Sequence, residues 1–363
     1  MRSLLSTTLC ALLAGSVSVS ATAIYSITDL GGFHIGSAAQ ATGINEIGIV
    51  VGGDFFSPNA TAFRWNGSLH ALPALPGQFS ASAEGINNAG LIVGSSVSNG
   101  TPHAVIWQND VPTQLPVFGT RNTALDINDR GDVIGSARVG NNDRAFYLEA
   151  GAASAIDLGT LGGLTAVAMD VNNAGIVSGY AESANRNNRA FRWKDTNGNH
   201  VSDPGEMILL SDLGLSSSAN STNNQGVSGG FVLRTNFTRQ AALWDIVGNR
   251  INLPNFPGAT DAEVFDVNSS LQAVGQSDAA VIWQNNSVQR LIDLIPANSG
   301  WTSLEMAFDI NDRGQIVGFG RRGDVYDRAF LLTPIPVPEP TGLLLVGTFL
   351  LAGCARVRRE AQP

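Results

Sequence analysis

The sequence predicts an all-β fold, a seven-bladed β-propeller of four-stranded blades whose ring is closed by the N-terminal strand. Three observations carry this reading. A ten-residue motif recurs at near-constant spacing. Each recurrence sits among four short runs of strand-forming residues, and no helix-period stripe of useful length intervenes. The two ends of the repeat region complement each other, one holding a spare strand and the other lacking one.

The motif is plainest in DINDRGDVIG, from Asp126, and DINDRGQIVG, from Asp309. It returns as GINEIGIVVG from Gly43, GINNAGLIVG from Gly85, DVNNAGIVSG from Asp170, STNNQGVSGG from Ser221 and DVNSSLQAVG from Asp266. The shared asparagines are Asn45, Asn87, Asn128, Asn172, Asn223, Asn268 and Asn311, and most gaps between them are about 41 to 45 residues. That period is expected of propeller-type arrays. Asn-x-x-Gly suits a type I turn, because Asn can bond its own backbone and Gly tolerates a positive φ. With apolar residues on both sides the motif reads as a β-hairpin with a bulge-type loop. The sixth copy has Leu271 in place of the glycine, so its turn is expected to differ.

A third run follows each hairpin, as in Ala62-Phe-Arg-Trp65, Ala104-Val-Ile-Trp107 and Ala190-Phe-Arg-Trp193. A fourth comes after it, as in LHALPAL from Leu69 and INLPNF from Ile251. The seventh repeat lacks this fourth run and passes into TPIPVPEP, whereas a spare strand, Ile24 to Gly32, precedes the first hairpin. A ring closed by its own N-terminus explains both facts. An open β-solenoid also stacks short strands, but it leaves the matching ends unexplained.

The body of the chain resembles the HAF-type extracellular repeats of bacteria. The resemblance rests on Asp157-Leu-Gly-Thr-Leu-Gly-Gly163, Ala168-Met-Asp-Val-Asn172, Gly175-Ile-Val and Arg189-Ala-Phe-Arg-Trp193. The family's His-Ala-Phe survives only at His103, with Val105 in place of Phe. The resemblance implies an extracellular location and a β-repeat architecture, and it brings no enzymatic activity with it.

The termini read as addresses. Residues 1–23 hold a positive start at Arg2, a short apolar run from Leu4 to Ala14 and an A-x-A site at Ala21-Thr-Ala23, which is the pattern of a secretory signal peptide. An N-terminal membrane anchor is the alternative, although the run is short for a bilayer. Residues 337–363 hold Pro338-Glu339-Pro340, a mostly apolar stretch, then Arg356, Arg358 and Arg359. A short transmembrane helix with a cytoplasmic basic end fits this order. The three elements together resemble a PEP-CTERM sorting signal. That resemblance implies export by a Gram-negative bacterium, recognition at Pro338, Glu339 and Pro340 by an exosortase-type membrane enzyme, and association with exopolysaccharide and biofilm. A plain C-terminal membrane anchor is the alternative. The propeller is expected to occupy 24–336.

Composition excludes several classes. The two cysteines, Cys10 and Cys354, lie in the two terminal segments, so no disulfide staples the body. The net charge is −9 and Lys194 is the single lysine, which leaves no basic face for nucleic acid. The four histidines, His34, His70, His103 and His200, show no metal-ligand spacing. Gly318-Phe-Gly320-Arg-Arg-Gly323 matches a dinucleotide fingerprint by letter, but a strand lead-in follows it where that fold needs a helix.

One insertion carries chemistry. The gap from Asn172 to Asn223 is 51 residues, and the extra ones follow Trp193 as KDTNGNHVSDPGEM. From Asp195 they place oxygen ligands at Asp195, Asn197, Asn199, Asp203 and Glu206, with the Val201 carbonyl between, the spacing of a calcium loop. The pattern resembles the EF-hand-like loops of secreted bacterial proteins. It departs at His200, which stands where that loop has Gly. A bound Ca²⁺ would be structural, bracing a long loop on blade four; a polar surface loop rich in turn formers is the alternative.

Asp126, Asp170, Asp266 and Asp309 share one repeat position, so they are expected to serve each blade more than to form a catalytic pair. A glycosidase would need two carboxylates facing each other across a cleft, and there is no nucleophile elbow. The function expected is therefore a secreted or surface-displayed, non-enzymatic matrix, scaffolding or carbohydrate-binding protein, with exopolysaccharide or a surface protein as partner. An extracellular hydrolase or lyase acting on polysaccharide is the alternative.

Overall fold

The glycine that ends each motif stands where a carbonyl oxygen leaves no room for a side chain. A Cβ on Gly52, Gly94, Gly135, Gly179, Gly230, Gly275 or Gly318 would lie 2.0 or 2.1 Å from a carbonyl oxygen of the adjacent strand. In every blade that strand is bulged beside the glycine, as between Ala124 and Asp126 or Ala307 and Asp309. The bulge re-aims the residues just before the turn, and these are the residues that reach the centre of the molecule.

The computed structural model describes residues 24–33, 38–55, 59–211 and 214–336. They form seven four-stranded antiparallel sheets, at residues 39–72, 80–114, 122–157, 162–209, 216–252, 263–290 and 301–334, the last completed by Tyr25–Gly31. A 3₁₀ turn, Leu291–Leu294, is the one helical element among the described residues. The innermost strands, such as Asn122–Ile127 and Glu263–Val267, line a common axis.

Ring closure is as the sequence predicts. Tyr25–Gly31 is the outermost strand of blade seven and pairs antiparallel with Val325–Pro334, from Tyr25 opposite Pro334 to Gly31 opposite Ala329. Asp29 holds the joint from its side chain, taking hydrogen bonds from Arg328 and Arg322 at 2.9 Å. Asp29-Leu-Gly31 of this strand repeats Asp157-Leu-Gly159 of blade three and makes the same turn, for Gly31 N–H donates to Asp29 as Gly159 N–H donates to Asp157. A closed ring removes the open solenoid from consideration.

The core lies between blades as well as within them. Val51, Ala62 and Leu72 of blade one pack with Ala83, Ile92, Val105 and Trp107 of blade two. Trp107, Trp244 and Trp283, which end third strands, are fully buried, and their indole N–H groups find oxygens: Trp107 to Pro73, Trp244 to Ser211 and Trp283 to Pro254, at 2.7–2.8 Å. Burying these rings supplies apolar area, and the indole bonds satisfy the polar atom that comes with it.

The turns also form as predicted, with one correction. In the regular copies the glycine has a positive φ and donates to the asparagine carbonyl, as Gly131 to Asn128 at 3.0 Å. Leu271 of the sixth copy was expected to change the turn and does not. It adopts φ 59° and donates to Asn268 O at 3.0 Å like the glycines. The Asn268 side chain holds the loop by accepting from Ser270 and Gln272 N–H at 3.0 Å. A non-glycine in this region costs about 1–2 kcal/mol, which those two bonds can offset.

The leader expected at 1–23 and the sorting segment expected at 337–363, with Pro338, Glu339, Pro340, Arg356, Arg358, Arg359 and the apolar helix, lie outside the described residues. Among the described residues no helix is long and apolar enough to cross a membrane.

Candidate functional site

The motif asparagines build the mouth of a central channel. Each is buried and works in two directions. Its Oδ1 accepts from the backbone of its own turn, as Asn172 does from Ala174 and Ile176. Its Nδ2 donates to the carbonyl of the next asparagine around the ring. The steps run Asn45 to Asn87, Asn128, Asn172, Asn223, Asn268, Asn311 and back to Asn45, all at 2.8–3.1 Å. A second, more exposed arc follows one residue on, open between blades five and six. Backbone N–H groups of Glu46, Asn88, Asp129, Asn173, Ser269 and Asp312 donate to the side chain of the next blade at 2.7–2.9 Å.

Beneath this mouth lie the four aspartates. The bulge turns each toward its neighbour, where Oδ2 accepts an N–H of the next inner strand. Asp126 takes Val171, Asp266 takes Ile310 and Asp309 takes Ile44 at 2.7–3.0 Å, and Asp170 takes Thr222. They do serve the blade joints, as their shared repeat position predicts. They also meet in pairs, Asp126 with Asp170 and Asp266 with Asp309. In the other three copies the position is Gly43, Gly85 and Ser221. Gly85 makes room for its neighbour, since a Cβ there would lie 2.9 Å from Asp126 Oδ1.

The channel is lined by acidic groups. Its lining carries Glu46, Glu84, Asp126, Asp129, Asp170, Asp266, Asp309 and Asp312 and no Lys, Arg or His. Burial, and then the negative charge of Asp126, pushes the Asp170 carboxyl well above the usual value. Burial and the charge of Asp266 do the same to Asp309. Burial also raises Glu84, against a hydrogen bond from Ser82. The cavity is about 260 Å³. Sequence reasoning found the four aspartates but not their convergence, and it missed Glu84 and Ser221. Equivalent positions of a closed ring must face one axis, and that signal was available.

The insertion after Trp193 folds as one closed turn on blade four. Asp195 accepts from the N–H groups of Asn197, Gly198 and His200 at 2.6–3.2 Å. Asp203 accepts from the amides of Asn197 and Asn199 at 2.6–2.8 Å, and Asn199 accepts from Val201 N–H at 2.9 Å. Buried Glu206 accepts from Thr196 and Asp203 N–H at 2.8–2.9 Å. His200 takes φ 59°, the conformation the loop pattern assigns to glycine, and its Nδ1 lies 2.9 Å from Glu149 of blade three. The loop thus brings Asp195, Asn197, Asn199, Asp203 and Glu206 into one hydrogen-bonded turn. Its carboxylates now cap backbone and amide N–H groups. Among the described residues no three His, Cys, Asp or Glu side chains meet as a metal-holding group.

No protein-family model matches the chain, and no curated protein matches it. Solved structures do. The chain is similar to virginiamycin B lyase from Staphylococcus aureus, at TM-score 0.54 and 11% identity over 86% of this chain and 100% of that one. It is similar to YCF48 bound to D1 peptide, at TM-score 0.52 and 12% identity over 86% and 97%. It is similar to puromycin hydrolase, at TM-score 0.51 and 15% identity over 85% and 56%. At such identities the likeness concerns the fold alone, which is that of a seven-bladed β-propeller.

Proposed function

We propose that this chain is an exported bacterial β-propeller that acts at the cell surface or in the matrix as a non-enzymatic scaffold or carbohydrate-binding module. One observation carries the reading: the repeated polar residues are engaged from blade to blade around the whole ring, so they build the molecule. Recognition is left to the loops that differ among blades. The resemblance to HAF-type repeats supports the location. The resemblance of Pro338-Glu339-Pro340 and the following segment to a PEP-CTERM signal supports sorting by an exosortase-type enzyme, with exopolysaccharide or a surface protein as partner. The Asp195–Glu206 loop takes a structural Ca²⁺ in this reading, because its donors are all oxygen and His200 already holds the required backbone.

The test is a glycan-array screen of the chain from residue 24 to 336, with and without Ca²⁺, after circular dichroism has established its β-content. Specific binding is expected, and calcium dependence that disappears in Asp195→Ala would assign the loop. A folded sample that binds no glycan and no outer-surface protein overturns the reading.

One observation favours a second reading, an extracellular polysaccharide hydrolase or lyase: the channel holds buried carboxyl groups, Asp170 and Asp309, kept well above the usual value, as a general acid is. Product release from a polysaccharide panel, abolished in Asp170→Asn, would support it; no turnover by the folded protein would exclude it.

A further inference from the structure

The joint between blades five and six is tied by an arginine. Arg239 lays its guanidinium 4.9 Å from the centre of the Phe231 ring and donates to Glu263, on the inner strand of blade six, at 2.6 Å. A cation held between an aromatic face and a carboxylate gains from both. The next joint keeps a carboxylate and lacks the arginine. Asp278 takes the repeat position of Arg239, two residues before the buried alanine of the third strand, Ala280 for Ala241. Across the joint, Glu305 stands beside Met306, which pairs with Phe319 as Glu263 pairs with Gln276. A bulge between Leu304 and Met306 leaves Glu305 outside the ladder, and such bulges re-aim side chains.

A cavity of about 370 Å³ opens at this second joint, at the end of the inner strands away from the asparagine turns. Asp261, Asp278, Glu305 and Asp327 line it against one cation, Arg321, whose Nε donates to Gly323 O at 3.2 Å. Glu305 accepts from the Ser303 hydroxyl at 2.6 Å, and Asp261 from Arg239 N–H at 2.8 Å. Met306 and Phe319 supply apolar wall. Asp261, Asp278 and Glu305 are exposed, so the cavity is open to a partner. Among the described residues no three carboxylates meet as a metal-holding group. The chemistry that suits the place is that of the residue one joint earlier: a planar cation for the carboxylates, on an aliphatic stem that lies along apolar wall.

We propose that the cavity between blades six and seven receives an arginine side chain of a partner protein. The proposal rests on the reading of the chain as a non-enzymatic surface module, and it names the chemistry of that module's protein partner. A guanidinium forks onto a carboxylate through two parallel N–H bonds, which an ammonium cannot do. Asp278 and Glu305 approach from opposite blades, so the incoming arginine takes the part that Arg239 plays between blades five and six. The surplus of carboxylates also draws a basic segment in before contact, and it does so less as salt rises.

The experiment is a ligand-observed NMR titration of the full chain with an acetylated, amidated Gly-Arg-Gly peptide, beside its citrulline analogue, which has the same shape and no charge. Saturable binding of the arginine peptide is expected, weaker by roughly fivefold or more for citrulline and in Asp278→Asn/Glu305→Gln, the scale of exposed ion pairs. Asp278→Arg, which gives blade six the residue of blade five, should fill the cavity and abolish binding. No saturation overturns the proposal, and so does citrulline binding equally well. Unchanged affinity in the double variant overturns it too, because the peptide then sits elsewhere. Glucosamine binding that the double variant weakens, with the peptide silent, gives the cavity to an amino sugar and overturns the protein partner. If circular dichroism shows that Asp278→Arg does not fold, the double amide variant decides alone. The peptide reads the cavity directly, so a glycan array without hits would sink the carbohydrate reading and leave this result standing.

Discussion

Asn311 Nδ2 donates to Asn45 O at 3.0 Å, and this one bond joins the last blade to the first across 266 positions of sequence. It is the same bond that each earlier asparagine makes to the blade after it. The circle therefore has no start, and the seam between the chain's ends is sealed at the axis as well as at the rim, where Tyr25–Gly31 is paired.

Asn172→Ala tests one link. It removes the donor to Asn223 O and the acceptor for Ala174 and Ile176 N–H. Leaving such groups buried and unpaired costs about 1–3 kcal/mol. Urea denaturation should show a loss of that size. Asn172→Asp, which keeps the acceptor and loses the donor, should fall between.

The bulge glycine should be far less tolerant than the turn glycine. Gly135→Ala drives a Cβ to 2.0 Å from Thr123 O, whereas a Cβ on Gly131 meets nothing nearer than Ala150 at 3.3 Å. Gly131→Ala should cost about 1–2 kcal/mol for its positive φ. Gly135→Ala should exceed 3 kcal/mol or yield insoluble protein. Soluble yield and thermal midpoint would rank them.

The seam at Asp29 should respond to acid. Burial alone would raise this carboxyl, but hydrogen bonds from Arg328, Gly31 N–H and Arg322 outweigh it and set it below the usual value. A depressed folded pKa contributes stability that is present above the unfolded value near 3.8 and is lost as pH falls through the folded one. Asp29→Asn should therefore destabilise at pH 7 by about 1–2 kcal/mol. The difference from wild type should shrink as pH falls below 3.8 and through the lower folded value.

Arg192 should be a costly residue to remove although no carboxylate pairs with it in a salt bridge. It is buried, and it donates to Ser228 Oγ, Asp245 O and Trp244 O at 2.8 Å, fastening blade four to blade five. Burial draws its guanidinium down to about 10. Arg192→Met strands three acceptors and should cost about 3 kcal/mol. Arg192→Lys should recover only part, because one ammonium cannot reproduce the fork. Thermal unfolding of both variants checks this.

The blades were legible because each repeat writes its own strands and turn, and Asn-x-x-Gly names the turn chemistry locally. Closure was legible because a surplus strand and a missing one can be counted. Leu271 was misread since a side chain three positions away, Asn268, decides whether a left-handed residue is held. The channel was half legible. Asp126 and Asp309 announce a shared position, but their pairing depends on the step from blade to blade, which no single repeat contains. Ser221 looks like a degenerate copy in sequence, and its short side chain makes no bond to the next inner strand of the kind the aspartates make.

The rim seam also sets a clock. Ser26 bonds Thr333, 307 positions later. A ribosome adding about 5–20 residues per second makes the first strand wait on the order of 15–60 s for its partner. Through that interval the opening strand is a bare β edge, and six finished blades cannot complete the seventh without it. A chain cut short before Val325 keeps both edges exposed and never becomes a ring, so loss of the last strand should leave it as vulnerable to proteases and aggregation as loss of the first.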